Sequence, residues 1–188
     1  MAGGLDALIH CAAVQGARPA TGLPAQDVYE QQDIVLGTAF ANAAAFRHMR
    51  QTGGSIVNNT CGAGIDGQWL NAVASSAARD GVIGYSRAIA HTCTRHLIRV
   101  NVVAPAAEIE LNEDYVSEEW EWTSACLASF TPSIGRMPTP DAVADVDVFL
   151  ASDLSRSVSG QLITVGDGLI TAHRSAVNGS HTSESYST

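Results

Sequence analysis

With 188 residues, 46% of them hydrophobic, the chain has the length and apolar content for a single domain with a sizeable core. Its formal net charge of -9 comes from nineteen acids against ten arginines, with no lysine and no basic stretch interleaved with aromatics, which argues against a nucleic-acid partner. No apolar run approaches the ~18–20 residues that cross a bilayer, and Met1 leads straight into strand-like sequence, so no membrane span or signal segment is expected and the chain reads as cytoplasmic.

In chain order, Gly4 to Ala13 is a short apolar run bounded by small residues, the pattern of a buried strand in a parallel sheet. A loop with Pro19 and Pro24 follows, and the spacing of Val28, Ile34, Val35, Phe40 and Phe46 predicts a helix from Ala25 to Gln51, closed by Gly53-Gly54. Ser55 to Thr60 reads as a second strand, Asn71 to Ala90 as a long alanine-rich helix, and Ile98 to Ala104 as a third strand. A helix from Glu113 to Leu127 is expected within an acidic stretch that also carries Trp120 and Trp122. Thr139 and Pro140 fit the cap and first turn of a helix running to Ala151, and Leu162 to Val165 is the last strand. Strands alternating with helices of this length imply parallel βαβ units with right-handed crossovers, hence an α/β class. The domain is expected over residues 1–170, followed by a disordered polar tail over 171–188. The four cysteines, Cys11, Cys61, Cys93 and Cys126, lack a CxxC pair or a metal-type spacing and read as reduced thiols in small core positions, with no metal site implied.

Five stretches occur in order. They are Leu5-Asp6-Ala7-Leu8-Ile9-His10-Cys11-Ala12-Ala13; Gly54-Ser55-Ile56-Val57-Asn58-Asn59-Thr60-Cys61; Ser75 to Gly84; Ile98-Arg99-Val100-Asn101-Val102-Val103-Ala104-Pro105; and Gly135-Arg136-Met137 through Val165-Gly166-Asp167-Gly168. Together they resemble the back two-thirds of a short-chain dehydrogenase/reductase. That resemblance implies a partial Rossmann-like, doubly wound parallel sheet lacking the first three βα units, and with them the glycine-rich phosphate turn; Gly3-Gly4 precedes a strand and lacks the strand-then-helix setting such a turn needs. It also implies that the first strand here, central in the family, becomes a sheet edge.

Family members transfer hydride between a nicotinamide and an alcohol/carbonyl pair, using a tyrosine as acid or base, a lysine that lowers its pKa and holds the ribose, and a serine and an asparagine in support. Residue by residue, Ser75 takes the tyrosine position, Arg79 the lysine, Cys61 the serine and Ile34 the asparagine. Cysteine keeps a weak donor and arginine keeps the charge, but a serine hydroxyl is far less acidic than a phenol and shorter. Around the cofactor, the family's turn after the first strand is represented by His10, Cys11, Ala12 and Ala13, its Pro-Gly by Pro105-Ala106, and a donating threonine by Glu110. His10, Ala12, Pro105 and Glu110 are thus the cofactor-facing positions. These departures favour a non-catalytic or assembly subunit without a cofactor, forming homo- or hetero-oligomers with a related dehydrogenase. The alternative is an NAD- or NADP-dependent oxidoreductase recorded without its N-terminal cofactor-binding part.

Overall fold

The computed structural model describes residues 4–12, 20–62, 65, 72–105 and 139–166. Among them, β1 (Ala7–His10), α1 (Ala25–Met49), β2 (Gly54–Asn59), α2 (Val73–Cys93), β3 (Ile98–Pro105), α3 (Pro140–Ala151) and β4 (Leu162–Val165) follow one another along the chain. The strands form one parallel sheet in the order β1-β2-β3-β4, with Ala7 opposite Ser55, Gly54 opposite Ile98 and Val102 opposite Leu162. This is the α/β architecture expected of a partial doubly wound sheet, and β1 lies at an edge of it.

Alternation along the strands sends successive side chains to opposite faces. Ile56 and Val100 point towards α1 and α2, where they join Ala45, Met49, Ala90, Cys93 and Ile98 in one apolar cluster. Val57 and Val103 point the other way and meet Leu150 of α3 and Val165 of β4. Both faces of β2 and β3 are therefore covered, which suits the adjacent apolar pairs Ile56-Val57 and Val102-Val103 at their centres. β1 departs from the expected burial on both sides: Leu5 and Leu8 pack against the first cluster, while Ile9 is 41% exposed. Of the described cysteines, Cys61 and Cys93 are buried as small core residues, but Cys11 is exposed because it follows the edge strand rather than a covered one.

Helix bounds follow local chemistry. The Thr139 side chain accepts from the Ala142 N–H and Pro140 occupies the first turn of α3, as the sequence implied. The other end of α3 is held from the sheet: Ser55 Oγ donates to the Leu150 carbonyl at 2.7 Å, and Arg99 donates to the Leu150 and Ser152 carbonyls at 2.8 and 3.0 Å. A guanidinium on these terminal carbonyls also complements the negative end of the helix dipole. α1 ends in a tight turn in which Gly53 adopts φ +81 and its N–H reaches the Met49 carbonyl at 2.8 Å. Next to it, a Cβ on Gly54 would meet the Asp6 carbonyl and Met49 Sδ, each at 2.9 Å. The Asp6 carbonyl is itself tied to the Ser55 N–H at 3.0 Å and cannot give way. Gly54→Ala is therefore expected to destabilise the fold by about 1–3 kcal/mol, read as a lower urea midpoint at unchanged slope.

Candidate functional site

The carboxyl ends of β1, β2 and β3 lie side by side, and in an open α/β sheet ligands sit beyond these ends. β2 continues past its last paired residue: the Thr60 N–H donates to the Val103 carbonyl at 2.9 Å and the Gly62 N–H to the Pro105 carbonyl at 2.7 Å. Thr60 Oγ1 also donates to the Arg79 carbonyl at 3.2 Å, fastening the end of β2 to the start of α2. Cys61 is thereby held, buried, between the sheet and α2.

Ser75 and Arg79 are one turn apart on α2, so their side chains share a face. Arg79 Nε donates to Ser75 Oγ at 3.0 Å, and the two residues are 4% and 5% exposed respectively. A guanidinium on a hydroxyl oxygen in a water-poor setting stabilises negative charge on that oxygen, the same electrostatic service that an ammonium gives a phenol. On the facing side of α1, Ile34 packs with Ala78 and Val82 and offers no polar atom. Tyr85 lies ten residues past Ser75 on α2, about 15 Å along the helix. Its hydroxyl points to the Ala39 carbonyl of α1, at 3.5 Å, and so packs rather than substitutes for the family's phenol.

Of the positions that the resemblance matches to cofactor-facing ones, His10 closes β1, Ala12 is exposed just beyond it and Pro105 closes β3. Glu110, the acidic stretch around Trp120 and Trp122, and the polar tail lie outside the described residues. Burial lowers the pKa of His10, whose Nδ1 meets no hydrogen-bond partner among the described residues, so the ring is neutral near pH 7. Among the described residues no group of three His, Cys, Asp or Glu side chains is placed to hold a metal ion, and no helix is long and apolar enough to cross a membrane.

Sequence reasoning missed one charged group. Asp147 of α3 is only 6% exposed and faces the carboxyl end of β2, where Asn59 Nδ2 lies 3.1 Å from both carboxylate oxygens. The signal was available, since an acid at position 147 interrupts the buried stripe of Val143, Val146 and Leu150 on α3. Burial raises the Asp147 pKa and the Asn59 donor offsets part of that rise. Although Cys11 is exposed as a residue, its thiol is raised in turn, first by partial desolvation from the atoms around it and then by the Asp147 charge.

A carboxyl whose pKa is higher folded than unfolded holds its proton more tightly in the native state. Its contribution to stability is complete below the unfolded carboxyl pKa and is lost as pH rises through the folded value. Asp147→Asn keeps an acceptor for Asn59 and cannot ionise. The variant is expected to be more stable than the natural chain at pH 8, with the difference closing towards pH 4, as followed by urea denaturation at the two pH values.

Comparison with known proteins bears on this geometry. A family model described as enoyl-(acyl carrier protein) reductase matches residues 1–170. The cis-4-hydroxycyclohexanecarboxylate dehydrogenase of Sinomonas cyclohexanicum is 35% identical over 172 residues, covering 88% of this chain and 66% of the relative. The 3-oxoacyl-[acyl-carrier-protein] reductase of Rattus norvegicus is 36% identical over 135 residues, covering 72% of this chain and 53% of the relative. Among solved structures, a protein assigned as a short-chain alcohol dehydrogenase from Sinorhizobium meliloti 1021 superposes with a TM-score of 0.78 at 28% identity, over 90% of this chain and 67% of that one. The chain thus spans between half and two thirds of the length of these curated relatives.

Proposed function

We propose, from the premise that this chain belongs to the short-chain dehydrogenase/reductase family, that it forms the substrate-side part of an oxidoreductase acting on an alcohol/carbonyl pair with NAD or NADP. The observation that carries this reading is the Arg79 Nε to Ser75 Oγ hydrogen bond of 3.0 Å at the two positions where the family keeps its lysine and tyrosine. The relatives named above, a dehydrogenase and a reductase, support the same class of reaction.

The residues in hand fit one half of such a cofactor. His10, Ala12 and Pro105 border the strand ends with a neutral ring, a methyl group and a pyrrolidine, surfaces suited to a flat uncharged ring. No described strand leads through a glycine-rich turn into a helix, so these residues do not supply the backbone N–H cradle that a pyrophosphate needs. When bound, the nicotinamide supplies the hydride. Ser75 Oγ–H donates to the substrate oxygen and gives up its proton as that oxygen gains charge. Arg79 stabilises the serine oxygen left behind, and the Cys61 S–H is a weak second donor. A serine hydroxyl is a poor acid, so proton delivery relies on the Arg79 donor, and solvent returns a proton to the serine oxygen before the next turnover. The test is turnover of cyclic and acyl-type ketones by the purified protein with NADH and with NADPH, followed at the nicotinamide absorbance, with Ser75→Ala as the control.

A second reading, a non-catalytic subunit, is favoured by the burial of Ser75 and Arg79, which gives the pair a structural part in docking α2 on β2. Assembly belongs to both readings. Val148, Phe149 and Leu154 are exposed apolar groups on and just after α3, and β1 is an edge strand of the sheet that the described residues form, surfaces suited to a second copy or a related subunit. A solution mass above that of one chain supports assembly, and a monomer at all concentrations counts against it.

A further inference from the structure

We propose that the amino ends of the strands, opposite the Ser75 and Arg79 end of the sheet, form a second site that takes a small amino acid with an aliphatic side chain. A cavity of about 540 Å³ opens there, within the size range of small-molecule sites. Its floor is the Gly53-Gly54 turn that leads into β2, and its walls carry opposite charges. Asp6, just before β1, stands on one side; Arg99 of β3 and Arg156, in the segment joining α3 to β4, stand on the other. β1 and β3 are two strand spacings apart, ~10 Å. That is the span from a carboxylate through an ammonium, its carbon and a second carboxylate to a guanidinium.

Arg99 is set in place before any ligand arrives. Its Nη1 donates to the Leu150 carbonyl at 2.8 Å and Ser155 Oγ at 2.6 Å, and its Nη2 to the Ser152 carbonyl at 3.0 Å, leaving two of the five guanidinium N–H groups for a ligand. Burial lowers the Arg99 pKa and the nearby Asp153 charge offsets part of that, so the group remains a cation that an arriving carboxylate would stabilise. Asp6 and Arg156 are exposed, and neither side chain is held by a hydrogen bond or ion pair among the described residues. With Asp153 also on the lining, two guanidiniums balance two carboxylates, which suits a molecule carrying both charges better than a simple anion. The aliphatic preference comes from Leu97 at the rim. Leu97 has φ +58, where its Cβ crowds the backbone, and is pinned there by its N–H on the Thr94 carbonyl at 3.0 Å and by the Gly54 N–H on its own carbonyl at 3.2 Å. Its side chain is nevertheless 81% exposed, so the protein itself makes little use of an apolar group held in a conformation that favours glycine. An aliphatic chain in the cavity would supply the contact that leucine lacks.

The test is calorimetric titration of the whole chain with leucine, with 4-methylpentanoate, which keeps the carboxylate and lacks the amine, and with 3-methylbutylamine, which keeps the amine and lacks the carboxylate. The site predicts saturable one-to-one binding of leucine, and binding about tenfold weaker for each half-ligand, since each forfeits one charged contact. Asp6→Asn and Arg156→Gln are each expected to weaken leucine binding about threefold, the scale of an exposed ion pair, while leaving the urea midpoint unchanged. Leu97→Gly is expected to raise the urea midpoint by relieving the backbone and yet to weaken leucine binding; a leucine with only a structural part would leave the titration unmoved. No saturable binding of leucine, 4-methylpentanoate binding as tightly as leucine, or leucine binding unchanged in all three variants would overturn the proposal.

Discussion

Arg79→Met is expected to lower kcat/KM for carbonyl reduction by about 10²–10³-fold, the range measured when one fixed donor to a developing oxyanion is removed. Methionine preserves most of the buried volume of the arginine stem and removes the guanidinium, its Nε donor to Ser75 Oγ included. Arg79→Lys is expected to retain more activity, because it restores the residue the family uses while shifting the charge off the serine. Ser75→Ala should fall by about 10²–10⁴-fold, the contribution typical of a positioned proton donor, and combining it with Arg79→Met should add little, since the two act as one unit. Steady-state kinetics read beside urea denaturation separate this from a structural part. A structural pair would alter the denaturation midpoint of both variants and leave the rate per folded molecule unchanged.

Leu150→Ala is expected to cost about 2–5 kcal/mol of folding stability. Leu150 is fully buried against Val57, Val103 and Val165, and its carbonyl accepts from Ser55, Arg99 and Ser155. One residue thus joins α3 to both central strands through its side chain and its backbone. Loosening it also frees Asp147 from Asn59, so the variant should show a weaker pH dependence of stability than the natural chain. The measurement is the urea midpoint at two pH values.

The sheet was legible because β2 and β3 each carry a buried apolar pair, Ile56-Val57 and Val102-Val103, α3 is punctuated by Thr139 and Pro140, and each strand is separated from the next by a helix. Among the described residues, strand and helix ends were found to within three residues; the run read as β1 was too long at both ends because small residues flanking an apolar core do not mark where pairing stops, and the helix read as ending at Ala90 continues to Cys93. Side-chain pairing was less legible. The spacing of Ser75 and Arg79 put them on one face, yet only the rotamers reveal that Nε meets Oγ rather than both pointing to a ligand. Asp147 escaped because its partner Asn59 is 88 residues away, and periodicity within α3 says nothing about what the opposing strand presents. Cys11 was misread for a related reason, since exposure at a sheet edge depends on which strand has no neighbour.

The most direct measurement is the rate at which the purified protein oxidises NADPH or NADH in the presence of a ketone, with Ser75→Ala run in parallel. Slow, dinucleotide-dependent reduction that Ser75→Ala removes is the expected result. Nicotinamide consumption that is absent in the natural protein, or that persists undiminished in Ser75→Ala, would contradict the assignment of proton delivery to the Ser75–Arg79 pair.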